Sequence, residues 1–509
     1  MPNDPVGQPP DVPPDPRVDG AAEVLGVVEI QQRVVAELAR LADVVEPLGR
    51  LYAEAGEEIA LVGGPVRDMM LGRLQTDLDL TTSAHPDVTE RLLRRWAGTT
   101  WDMGRAFGTI GCRMGPWTIE VTTYRADEYA SDSRKPAVAF GDSLVGDLRR
   151  RDFSVNAMAL RLPGAGEDID LERDVVDPYG GLVDHAHRVL RTPGAPEMSF
   201  SDDPLRMMRA ARFSAQLGFD VAPEVVAAMT AMADRIDIVS AERVRDELVK
   251  LVCAPQPRRG LRLLVETGLA DRVLPELPAL KLERDEHHRH KDVYEHTLTV
   301  LDQAIELEPR LPGGGPDFVA RFAALMHDVG KPRTRRFAGD GAVTFHHHDV
   351  VGAKLTRKRM RELRFPGDVT DAVARLVELH LRFHGYGSGE WTDSAVRRYV
   401  RDAGSELERL HVLTRADCTT RNRRKADRLR RTYDDLEARI AQLSEREELE
   451  AIRPDLDGNR IMEVLGLRPG PDVGRSYRWL LELRLENGPM EPADAEAALE
   501  QWWAAQHRT

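Results

Sequence analysis

Cysteine is scarce: the 509 residues include three, Cys112, Cys253 and Cys418. They lie far apart and form no CxxC pair. That sets aside a disulfide framework and a structural zinc site, and a reducing cytoplasm fits. No apolar run is long enough to span a bilayer. The N-terminus carries no apolar h-region, so nothing marks secretion. No internal repeat of fixed period is present. Positive charge is in deficit, with 71 Lys and Arg against 85 Asp and Glu and a net charge of −14. That balance argues mildly against nucleic-acid binding, yet binding depends on where the basic residues sit.

The basic residues are clustered. Arg149, Arg150 and Arg151 adjoin, Arg206, Arg209 and Arg212 recur at helical spacing, and RNRRKADRLRR runs from Arg421 to Arg431. A solvated helix face is the plain alternative for any such run. The length calls for several domains, and 42% hydrophobic residues is ordinary for a globular chain. Residues 1–22 are rich in Pro, Asp and Gly and are expected to be a disordered tail. Helical spacing runs from Val24 to about Tyr52. EIALVGG reads as a buried strand ending in a glycine turn, and VRDMMLG as a helix start. DLDLTT reads as a second strand, HPDVTERLLRRWA as a helix, and GTIGCRM and WTIEVTTY as two more strands. After Arg188 helical periods dominate, with breaks near 311–316, 385–389 and 468–474. The pattern is an α/β head followed by an all-α body.

Consecutive glycines after a strand, in LVGGPVRDMMLG, let a backbone approach a ligand and free the N–H groups that follow. A structural turn is the commoner use of such a pair. Asp77 and Asp79 alternate with Leu78 and Leu80, so in a strand both carboxylates share one face. Two acids there repel each other unless a cation intervenes, and hard oxygen ligands favour Mg²⁺. Glu120, on a later strand, could complete the cluster. Such a cluster suits phosphoryl transfer through divalent ions. A solvated edge strand is the alternative.

GGxVRDxxLG followed by DLDLTT resembles the head of the class II tRNA nucleotidyltransferase and bacterial poly(A) polymerase family, which has a polymerase-β-like nucleotidyltransferase fold. Further motifs follow in order: RRRDFSVNAMAL (149–160), DPYGG (177–181), DDPLRMMRAARF (202–213) and AERVRDEL (241–248). The resemblance covers about residues 55–275. It implies that Gly63, Gly64 and Arg67 hold the triphosphate and that Asp77 and Asp79 ligate the catalytic Mg²⁺; Glu120 stands as a catalytic candidate from the acid cluster alone. It implies that Arg151 contacts the nucleotide, that Asp203 and Arg206 read the base, and that Arg209 and Arg212 support the nucleotide from the same helix. Where the family has EDxxR, this chain reads DDPLR, so the first acid, Asp202, is shortened. The implied domains are a head at 23–185, a neck with nucleotide-selecting and RNA-binding helices at 186–285, an HD domain at 286–420 and an RNA-binding tail at 421–509.

Asp203 and Arg206 can be weighed on chemistry alone. Three apart on a helix, they are neighbours. Arg offers only donors and a carboxylate only acceptors. C and A share an exocyclic amino donor beside a ring-nitrogen acceptor, so one Asp and one Arg satisfy both, while U and G mismatch.

Histidines become abundant from Asp285. His296, His327 with Asp328, HHHD at 346–349, His380 and Asp417 lie along separate helical stretches. Imidazoles and carboxylates on several helices can converge on a divalent ion. The series resembles the HD phosphohydrolase domain, over about 290–420. The resemblance implies a core metal site of His296, His327, Asp328 and Asp417, with His348 and His380 as candidates for a second ion of unidentified type. His348 fits the family spacing best within HHH.

Arg421–Arg431 would present charge to RNA phosphates, and Trp502 and Trp503 would pack in the last helix. The leading expectation is template-independent addition of CTP, CTP and then ATP to the tRNA 3′ end. DNA and membranes are not expected as partners. A poly(A) polymerase, adding adenosine alone, shares the same head; the lack of a long basic tail leans against it. An HD hydrolase acting on RNA ends, with the head as a binding module, is the reading from a different class.

Overall fold

The computed structural model describes residues 27–128, 137–140, 143–164, 166–281, 293–337, 343–383, 391–418, 423–447 and 452–506. The expected N-terminal tail, 1–22, lies outside the described residues, as do Arg421, Asn422 and the 385–389 break. The chain divides into two compact units, Met1–Ile236 and Asp237–Thr509. The expected neck, 186–285, is therefore shared between them.

In the head, the first part of the first unit, the strands are β1 Ile59–Val62, β2 Asp77–Thr82, β3 Thr99–Trp101, β4 Thr109–Met114, β5 Trp117–Thr123, β6 Arg125–Glu128, β7 Ala137–Phe140, β8 Ala159–Arg161 and β9 Val175–Val176. Seven form one sheet in the order β3-β4-β5-β2-β1-β8-β9, and β6 pairs with β7 apart from it. β2 and β5 run parallel; the other neighbours run antiparallel. β1 is buried at every position, which is why it reads as an unbroken apolar run. β2 exposes Asp77 and Asp79 and buries Leu78 and Leu80, as the pleat requires.

The first helix, Val27–Glu54, is amphipathic and sets Leu41, Val44, Val45, Leu48 and Tyr52 into the core under this sheet. Helices Gly64–Met70 and Pro86–Trp96 follow β1 and β2. The helix Leu205–Leu217 buries Met207, Met208, Ala210, Ala211 and Phe213 and ends at Gly218 in the left-handed conformation.

The second unit is almost wholly helical. Its histidine-bearing part is built from Val293–Leu307, Phe318–Met326, His348–Glu362, Gly367–Leu379 and Leu407–Ala416. The last three helices, Gly458–Leu465, Pro471–Asn487 and Pro492–Gln506, close on Leu456, Ile461, Leu480, Ala495 and Leu499. Trp502 stacks on Trp479 at 4.9 Å, with Trp503 tilted beside it. The body departs from all-α at two small ladders, Val189–Leu190 with Asp220–Val221 and Arg336–Phe337 with Val343–Thr344. Two-residue ladders are too short to leave a period in the sequence. No helix among the described residues is long and apolar enough to cross a membrane.

Candidate functional site

In the head, Gly63 follows β1 with φ +73° and starts the helix Gly64–Met70. A Cβ there would lie 2.6 Å from Arg151 Nη1 and displace that guanidinium, and the positive φ itself favours glycine. Arg151 stands over the turn because Asp147 holds it. Arg151 Nη2 lies 3.2 Å from Asp147 Oδ2, and Arg150 Nη2 donates to Asp147 Oδ1 at 2.9 Å. Asp147 is buried. Burial opposes its charge, but Arg151 and Arg150 together hold its carboxyl below the usual range. The sequence reading missed Asp147; its only signal is an acid three and four residues before the two arginines.

Parallel pairing of β2 with β5 sets Asp79 opposite Glu120 and Asp77 opposite Thr118. The surrounding protein pushes the Asp79 carboxyl up, Asp77 adds to the push, and Arg151 opposes it. Glu120 is pushed up by burial first and then by Asp79 and Asp77. The three acids thus share one electrostatic environment and repel, a strain that a cation relieves. They form an open triad: among the described residues, three ligand atoms lie mutually within 4.8 Å only in the histidine cluster below.

Besides Arg151, the four other arginines expected at the nucleotide are placed unequally. Arg67 is 4% exposed and turns inward. Its Nε and Nη2 donate to Asp68 at 2.9 and 3.0 Å, and its Nη1 to Asn156 Oδ1 at 2.6 Å. Arg206 is half-buried and donates to Ser199 Oγ at 2.9 Å and to the Arg150 carbonyl at 2.5 Å. Asp203 accepts from the Leu205 N–H at 3.2 Å where the helix begins. Arg209 donates through Nε to Asp152 at 2.7 Å, and Arg212 is 9% exposed and donates to Gln216 at 2.9 Å. Arg151 borders the open acids, where its charge acts on Asp79. Arg67 and Arg212 are themselves buried, Arg67 on the buried Asn156 and Arg212 against the Phe213 ring.

In the second unit, His296, His327 and Asp417 bring ligand atoms together, and Asp328, His348 and His380 do the same. The two groups adjoin. His327 Nε2 lies 3.2 Å from Asp328 Oδ2 and 3.7 Å from Asp417 Oδ1, His296 Nε2 lies 2.9 Å from Asp417 Oδ1, and His348 Nε2 lies 3.3 Å from Asp328 Oδ1. The side chains of His327, His348 and His380 share one arrangement. Each Nδ1 contacts the carbonyl three residues earlier, at Ala324, Phe345 and Val377, at 2.8, 2.7 and 2.6 Å. That leaves each Nε2 facing the cluster, buried and without a hydrogen bond. The donor set of imidazole nitrogens oriented by backbone carbonyls, plus two carboxylates, fits a divalent transition metal. Asp328 and Asp417 are both held below the ordinary range: burial opposes this, and neighbouring His327 and His296 outweigh it. Lys331, unremarked in the sequence, reaches Asp328 Oδ2 at 2.6 Å. A Cβ on Gly330 would strike the His348 carbonyl, so this glycine lets the His-Asp turn seat against the helix His348–Glu362.

An acid-faced strand that repels itself without a cation, beside a turn open to phosphate, is the working arrangement of a metal-dependent nucleotidyltransferase. Residues 59–191 match the Poly A polymerase head domain, 218–280 the probable RNA and SrmB-binding site of polymerase A, and 293–448 the HD domain. The A-adding tRNA nucleotidyltransferase of Deinococcus radiodurans is 35% identical over 453 residues, covering 87% of this chain and 95% of that protein. The CC-adding tRNA nucleotidyltransferase of Thermus thermophilus is 32% identical, covering 87% and 93%. The CCA-adding enzyme of Streptococcus thermophilus is 31% identical, covering 85% and 90%. The fold resembles the crystal structure of the Bacillus stearothermophilus CCA-adding enzyme in complex with CTP, with a TM-score of 0.66, 23% identity and coverage of 92% and 98%. The chain belongs to the tRNA nucleotidyltransferase and poly(A) polymerase family and carries its HD domain. Membership implies dependence on a divalent metal.

Proposed function

We propose that this chain adds CTP, CTP and then ATP to the 3′ end of tRNA, without a template and with Mg²⁺. The observation that carries this reading is Asp79 facing Glu120 across the parallel β2–β5 register, beside the Gly63 turn. Asp77 and Asp79 would hold Mg²⁺, which supplies activation of the 3′-hydroxyl and neutralisation of the departing pyrophosphate. Gly63 and Gly64 leave room for the triphosphate against backbone. Asp147 keeps Arg151 over that turn, where its charge faces phosphate. Asp203 and Arg206 match the donor and acceptor edge common to C and A. Arg206 gives up its bond to Ser199 or to the Arg150 carbonyl when it takes a base. The basic run at 421–431 supplies phosphate contacts, and a cytoplasmic setting suits the free thiols.

We infer also that the histidine cluster holds a divalent transition metal, on the strength of its three inward-facing Nε2 atoms. Relatives that add A alone or CC alone make the order of addition the point to test. Purified protein, tRNA ending before CCA and each nucleotide singly and in pairs are the required components. CTP alone yields two additions, and ATP enters only after them.

A further inference from the structure

Three guanidinium groups surround one aromatic ring in the first unit. The Cζ atoms of Arg67, Arg209 and Arg212 lie 5.2, 5.7 and 3.9 Å from the centre of the Phe213 ring. The ring is buried and meets Phe153 edge-on, with centroids 5.8 Å apart and planes at 86°. Three like charges this close are held by two carboxylates and by the ring's negative face. A chain of hydrogen bonds links Arg67 to Arg209. Asp68 accepts from Arg67; Arg67 donates to Asn156 Oδ1 at 2.6 Å; Asn156 Nδ2 donates to Asp152 Oδ1 at 2.9 Å; Arg209 donates to Asp152 Oδ2 at 2.7 Å. Asn156 and Asp152 are both buried.

The two ends of this chain lie on functional elements. Arg67 is in the helix that starts at the Gly63 turn, and Arg209 is one turn beyond Arg206 on the helix Leu205–Leu217. Buried polar chains have few alternative arrangements, since each unmade bond is costly there. A shift of the base-reading helix is therefore felt at the phosphate turn.

We propose that Phe213, with Asn156 and Asp152, is a positioning element that sets the angle of the base-reading helix against the phosphate turn, and so controls nucleotide choice. Arg209 and Arg212 then serve selection through the placement of Arg206, without touching the nucleotide. This rests on the reading that Asp203 and Arg206 choose the base.

Phe213→Leu keeps an apolar side chain against Phe153 and removes the ring face. On tRNA ending before CCA, the kcat/KM ratio of CTP over UTP falls about tenfold in this variant, the scale expected for lost cation–π contacts. The change is carried by KM for CTP more than by kcat, and Phe213→Tyr restores the ratio. Asn156→Ala breaks the chain without touching the ring and lowers the ratio in the same way, which keeps the test open should Phe213→Leu fold poorly. A wild-type ratio in either folded variant overturns the proposal, whether its rate is full or uniformly reduced. Wild-type protein that adds nucleotides with no preference overturns the base-reading assignment itself, and the positioning role with it.

Discussion

Asp79 carries the greatest demand in the head. Its carboxyl is pushed above the ordinary range by the protein around it and by Asp77, and Arg151 restrains it. Asp79→Ala lowers nucleotide addition by about 10³-fold or more, the loss expected when a catalytic ion loses a ligand, and leaves metal at the histidine cluster in place. Steady-state addition assays read the first effect and metal analysis the second; addition that survives the change removes β2 from the mechanism. His185 gives a pH effect. It is fully buried, and burial, with the nearby Arg67 charge, lowers its pKa to about 4. The unfolded chain protonates this group near its ordinary value of about 6.5, while the folded chain resists until about 4. Stability is therefore complete above about pH 6.5 and is lost as pH falls toward 4. His185→Phe makes the urea midpoint less sensitive to pH, by roughly 2 kcal/mol between pH 6.5 and 5. Equal sensitivity in the two proteins would place the acid lability elsewhere. Asp77, Asp79 and Glu120 were legible because strand alternation writes a face into the sequence. Asp147 was not, since an acid near two arginines looks like any surface pair until its burial is known. The direction of Arg67 and Arg212 was hidden for the same reason: spacing says which helix face a side chain starts from, not which partners its donors find.

Elements hold the second centre. The turn from His327 to Lys331 seats against the helix His348–Glu362 only because Gly330 and Gly352 present no side chain between them. Gly330→Ala forces these backbones apart, costs roughly 1–3 kcal/mol and weakens metal retention, readable by thermal unfolding and metal content. Asp328→Ala strips the metal outright and spares nucleotide addition. An addition rate that collapses together with metal content would mean that the two centres are not separate. Of the head strands, β1 was legible as an unbroken apolar run and β2, β4 and β5 between their turns, while the short β3 and β6–β9 were not read. The two-residue ladders in the body, Val189–Leu190 among them, lie below any readable period. The order of histidines and aspartates pointed to side chains that the fold brings together, but not to the backbone carbonyls that orient three of the rings.

At the scale of the molecule, a net charge of −14 does not decide against an RNA-end function, because binding depends on where the basic residues sit. Many arginines are paired with acids within the fold. The break between units after Ile236 falls inside the region that motif order treats as one neck. Motifs record chemistry, and compactness follows packing, so the two need not share a border. The family is secure from residues spread along the whole chain, while relatives of similar identity add A, CC or CCA. The deciding measurement is single-nucleotide extension of tRNA that ends before CCA, by the full chain with Mg²⁺. The account predicts two additions from CTP alone, one further addition when ATP is supplied, and none from UTP or GTP. Failure to incorporate CTP would contradict it.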